Sequence, residues 1–147
     1  MANPSVIETL IELTTQQSEE AAKRLGQATR QSEQAQEKLD LLRQYRQEYV
    51  DQLQNQMSSG LNVAGHANFL RFIQGIERAI AQQDVAVQQS QRLVERERSS
   101  WREHERKRLS YGTLVQRAQQ EALRQANRQD QKQTDERAAR RRSQLGS

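Results

Sequence analysis

With 147 residues, 33% hydrophobic and 4% aromatic content, one proline and a mean hydropathy of −1.08, the chain has too little apolar material to wrap a globular core. It contains no cysteine, which excludes disulfides, thiolate chemistry and cysteine-based zinc sites; its formal charge of +4 divides into 15 Lys/Arg against 8 Asp/Glu from Arg92 onward and 8 against 11 before it. The opening MANPSVIETLIELTTQQ lacks the basic flank of a signal peptide, and nothing approaches the ~20 apolar residues that span a bilayer, so the expectation is a soluble, unprocessed, cytoplasmic chain.

A heptad repeat runs through the first segment. With Ile11 at position a, the a track is Ile11, Ser18, Leu25, Ser32, Leu39, Arg46 and Leu53, and the d track is Ile7, Thr14, Ala21, Ala28, Ala35, Leu42 and Tyr49. Every one is apolar or small except Arg46, whose stem can run along the seam while its head reaches water. The pattern predicts a helix over about 4–58, with Pro4 in its first turn and Asn3 as its cap. The break MSSGLNVAGHAN follows, with Gly60 and Gly65 supplying backbone freedom; it predicts a loop over 59–67 and a second helix capped by Asn68.

From there the a track is Ile73, Ile80, Val87, Val94, Trp101, Arg108, Val115 and Ala122, while the d track, Phe69, Ile76, Gln83, Ser90, Glu97, His104, Tyr111 and Ala118, turns polar in the middle. A helix over about 68–140 and a frayed tail over 141–147 are expected, with Gly75 and Gly112 weakening the helix by about 1 kcal/mol each. The fold expected is all-α: one domain over 1–147, a long antiparallel two-helix coiled-coil hairpin. Its seam is built on Leu25, Ala28, Leu39, Leu53, Ile73, Ile80, Val87, Val94 and Trp101. Two registers one heptad apart satisfy it, placing Trp101 against Ala21 or against Ala28. In either, residues beyond about Gln125 overhang the first helix.

Catalysis finds no support. His66 and His104 are the only histidines and have no second ligand at metal spacing, and there is neither a glycine-rich phosphate loop nor a nucleophile constellation. No cofactor or metal is expected. The stretch from Glu95 to Arg108 alternates in sign and reads as an exposed face laced with weak ion pairs. The run Arg137, Arg140, Arg141 and Arg142 is diluted by acids and lacks stacking aromatics, so nucleic acid is not the expected partner. A basic coiled coil gripping nucleic acid or acidic membrane through 124–142 remains the alternative, beside a purely structural homo-oligomer. One stripe is anomalous: Leu42, Tyr45 and Tyr49, with Phe72, Ile76 and Ala79 on the second helix, is too large and apolar for a helix flank. It is either a broadened core or an aromatic docking patch.

These residues lie in blocks that carry a family resemblance: LLRQYRQEYVDQL (41–53), NFLRFIQGIERAI (68–80), SWREHERKRLSYGTLVQR (100–117) and NRQDQKQTDERAARR (127–141). In this order they resemble the FliJ family, the small coiled-coil stalk proteins of the flagellar type III export apparatus. The resemblance implies a non-enzymatic adaptor, similar to the γ stalk of rotary ATPases, at the cytoplasmic face of the membrane. Its implied partners are the export ATPase ring, the export gate protein FlhA and the export chaperones. It implies gate binding by Leu42, Tyr45, Tyr49, Phe72, Ile76 and Ala79, and ring contact by the terminal end, through Ile7, Leu10, Ile11, Leu13, Arg124, Arg128 and Arg137.

Overall fold

The computed structural model describes residues 4–146, and they form two helices with a single reversal between them: α1, Pro4–Ser58, and α2, Val63–Leu145. Asn3, expected to cap α1, lies outside the described residues. The chain divides into two compact units, Ser18–Glu103 and a second one pairing Met1–Gln17 with His104–Ser147.

The 18–103 unit is an antiparallel hairpin. Every a and d position from Ser18 to Leu53 and from Phe69 to Trp101 is buried or half-buried. Ala21, Ala28, Leu39, Leu53, Ile73, Val87 and Val94 are buried, while Leu25, Ile80 and Trp101 are half-buried. Full burial of an aliphatic side chain contributes about 1.5–3 kcal/mol, and a seam only two helices thick reaches that at few positions; Leu39, at 2% exposure, is the largest of them. Contacts across the seam set the register. Tyr49 meets Phe72, Arg24 meets Glu97 and Arg46 meets Glu77, each within one residue of the pairing that puts Trp101 opposite Ala21.

The polar middle of the d track is satisfied in three ways. The Gln83 Nε2 donates to the Ala35 carbonyl at 2.9 Å, the Ser90 hydroxyl donates to its own helix at the Val87 carbonyl, 2.7 Å away, and Glu97 accepts from Arg24 Nε at 3.3 Å. A buried polar group costs little once paired, so these layers are less adhesive than leucine layers without being defective.

The reversal differs from the expected loop over 59–67: it takes only Ser59, Gly60, Leu61 and Asn62. Gly60 adopts φ of 93°, the left-handed conformation that closes a Schellman motif, in which Leu61 N–H donates to Gln56 O at 3.0 Å and Gly60 N–H to Met57 O at 3.3 Å. The cap of α2 is Asn62 rather than Asn68, its Oδ1 accepting from the Gly65 amide at 2.7 Å. Gly65 and His66 thus lie in the first turn of α2. A Cβ at Gly65 would stand 2.6 Å from the tip of the Leu61 side chain, which would have to turn aside to admit one.

In the other unit, Thr14 is buried and returns its hydroxyl to the Leu10 and Ile11 carbonyls at 2.9 and 3.0 Å. Ile7, Ile11, His104, Tyr111 and Val115 are half-buried, and His104 Nδ1 is buried with no hydrogen-bond partner. Arg108, the one charged residue on the a track between Ile73 and Ala122, is held by Glu105 one turn earlier, with Nε 3.1 Å from Oε2; that hydrogen bond and the carboxylate charge raise the guanidinium above its ordinary value. The apolar seam stops at Val115, because Ala118 and Ala122 are exposed, and every described residue from Gln116 on is exposed. The overhang therefore begins about nine residues before the expected Gln125, and it stays helical to Leu145 where a frayed tail from 141 was expected.

Candidate docking surfaces

Aromatic residues accumulate on the 18–103 unit near its reversal. Tyr49, at d, sits half-buried against Phe72, with ring centroids 4.5 Å apart and planes tilted by 50°, a geometry aromatic pairs favour. Tyr45, one turn back on α1, is 44% exposed and Phe72 is 52% exposed, while Leu42, Ile76 and Ala79 are half-buried. The stripe is thus half core and half surface: its inner edge closes the seam and its outer edge presents two aromatic side chains to solvent. Leu41 and Leu70, at heptad positions c and e, are exposed in the same stretches of the helices.

A charged clasp joins the same stretches of the two helices. Arg46 pairs with Glu77 across the seam, its Nε 3.1 Å from Oε1, with both side chains more than two-fifths exposed. Such a pair contributes at most about 1 kcal/mol in water. Sequence reading sent the Arg46 head into solvent; its partner was not apparent because only the three-dimensional register brings Glu77 beside it.

The ring-contact residues suggested by the resemblance fall together in the other unit. Ile7, Leu10 and Ile11 are half-buried, Leu13 is 48% exposed, and Arg124, Arg128 and Arg137 are exposed on the overhanging part of α2. Val6, Leu109, Leu114 and Leu123 are also exposed in this unit.

Between Glu95 and Arg108 the stretch is an exposed laced face only in part: Glu95 pairs with Arg98 one turn on at 2.6 Å, but the Glu105–Arg108 pair is part-buried and Glu97 turns across the seam to Arg24. Among the described residues no group of three or more His, Asp or Glu is placed to hold a metal ion, and no helix is long and apolar enough to cross a membrane.

Comparison with known proteins agrees on both fold and family. A Chlamydia trachomatis structure described as a YscO homolog superposes with a TM-score of 0.50, covering 92% of this chain and 91% of that one at 16% identity, a likeness of fold. The flagellar FliJ proteins of Escherichia coli K12 and Salmonella typhi are each 36% identical over 140 residues, 95% of this chain and 95% of theirs. The family model for the flagellar FliJ protein matches residues 4–146. With the repeat, the single reversal and the aromatic stripe falling within that match, the chain belongs to the FliJ family of flagellar proteins.

Proposed function

We propose that this chain is a non-enzymatic stalk and adaptor of the flagellar type III export apparatus, joining the export ATPase ring to the export gate and meeting the export chaperones. In this reading it works in the cytoplasm and lies against the membrane only through its partners. The observation that carries the gate contact is the exposure of Tyr45 and Phe72 beside the Arg46–Glu77 pair. A core stripe would hide both rings, whereas exposed aromatic side chains are the anchors that binding hot spots use. The ring contact rests on the second unit, where Leu13 and the exposed arginines of the overhang share one end of the chain's pairing.

Binding to a purified gate domain separates the readings. Tyr45→Ala with Tyr49→Ala is expected to weaken binding to the FlhA cytoplasmic domain by at least tenfold while far-ultraviolet circular dichroism changes little; loss of helicity together with binding would assign the stripe to the core. Truncation after Gln125 is expected to abolish stimulation of the export ATPase and leave gate binding intact. Undiminished stimulation would move the ring contact elsewhere.

A further inference from the structure

Charge is unevenly shared between the two flanks of the terminal unit, the one that pairs the start of α1 with the far part of α2. Apart from the seam residue Arg108, every charged residue of α2 from Lys107 to Arg128 stands at heptad positions g or c: Lys107, Arg117, Glu121, Arg124 and Arg128. All of them are exposed, and among the described residues the cations of this set have no ion-pair partner. The opposite flank of the same stretch, at positions b and e, carries no charge. On α1 from Pro4 to Gln17 the division is reversed, because its only charged residues, Glu8 and Glu12, stand at e and b.

The g and c flank is apolar on α1. Val6, Leu10 and Leu13 follow one another at helical spacing and make a second stripe beside the seam stripe of Ile7, Ile11 and Thr14. Val6 and Leu13 are exposed and Leu10 is half-buried, so this stripe is not used up against α2. Leu114, exposed at g on α2, stands on the same flank, since g of one helix faces g of its antiparallel neighbour. The helices thus leave a groove with an apolar wall on α1 and a basic wall on α2 that runs from Lys107 onto the overhang. A helix laid in such a groove is held by apolar anchors three and four residues apart, and the basic wall selects one with carboxylates along its edge.

We propose that this flank of the terminal unit is the docking groove for one acidic amphipathic helix of a partner protein, its apolar face on Val6, Leu10 and Leu13 and its carboxylate edge along the cations of α2. The groove names the partner chemistry of the ring contact given above, and it rests on that reading only for the source of the helix. Both walls are needed: exposed ion pairs alone hold little, and apolar contact alone does not distinguish an acidic helix from a basic one. The b and e flank, where Leu109 and Leu123 are exposed without a cation beside them, is the internal control.

The probes are two synthetic helical peptides of about three heptads with leucine at spacings of three and four, one carrying glutamate and the other lysine along the edge, and fluorescence anisotropy reads their binding to the full chain at low salt. The acidic peptide is expected to bind at least tenfold more tightly than the basic one and to lose that advantage as salt rises. Val6→Gln with Leu13→Gln, and separately Arg117→Gln with Arg124→Gln, are each expected to weaken its binding at least fivefold at unchanged helicity. Leu109→Gln with Leu123→Gln is expected to leave it as in the parent. Absence of binding, equal binding of the two peptides, or an equal loss from the Leu109 and Leu123 pair overturns the proposal. Stimulation of the export ATPase by the same variants reads the ring contact separately. Full stimulation beside weakened peptide binding moves that contact elsewhere and upholds the groove, whereas lost stimulation with undiminished peptide binding overturns the groove.

Discussion

At the scale of single residues, the reversal is where geometry is least forgiving. Gly60 sits at φ of 93°, which an L side chain reaches only with strain of about 1–2 kcal/mol, so Gly60→Ala should lower the unfolding free energy by that amount. Asn62→Ala removes the cap of α2 and should cost about 1 kcal/mol. Urea titrations of both variants check this, and an unchanged midpoint for Asn62→Ala would leave the Gly65 amide adequately served by water. These same residues show why the loop was hard to read. Gly65 and His66 have loop chemistry in one dimension, and nothing short of the Asn62 side chain reaching the third helical amide reveals that α2 has already begun. Similarly, Tyr45 and Phe72 stand out as misplaced aromatics in the sequence, whereas the Tyr49–Phe72 ring contact and the Arg46–Glu77 pair exist only once the register is known.

At the scale of elements, the two helices and their seam were legible because the heptad leaves a stripe on each, and every a and d position between Ser18 and Leu53 is indeed withdrawn from water. The end of the seam was not legible. Ala118 and Ala122 continue the repeat of α2 faithfully, but a repeat needs a facing helix, and exposure of both shows that none covers them. The part of α2 from Gln116 to Leu145 therefore stands on its own helical hydrogen bonds, propensity and local side-chain pairs such as Gln131 with Asp135, without a packed face. Without a packed face a helix opens locally at little cost, so its amides are expected to exchange with solvent at least a hundredfold faster than those around Leu39 and Val87. Hydrogen exchange read by mass spectrometry tests this. Protection equal to that of the seam would require a second copy of the chain or another unseen cover.

At the scale of the whole molecule, charge and sequence separation matter more than any one contact. The surplus of Lys and Arg falls from Arg92 onward and the slight acidic excess before it, so the chain carries opposite characters along its length, and salt should weaken partners of the basic stretch first. The four-residue reversal also dictates an order in time. Contacts across the hairpin join residues 31 apart at Arg46 and Glu77, 48 apart at Ala35 and Gln83, and 73 apart at Arg24 and Glu97. Forming the widest of these first closes a long loop with nothing gained on the way, while each becomes a short closure once the one nearer the tip is made. The 18–103 hairpin is thus expected to fold as a zipper. Gly60→Ala should slow its folding, and Arg24→Ala should chiefly speed its unfolding, in stopped-flow measurements on the full chain. Equal slowing of folding by both would place the nucleus elsewhere. On this account a chain made one residue at a time holds a finished first helix with no mate, and pairing begins only when the residues just past Asn62 arrive.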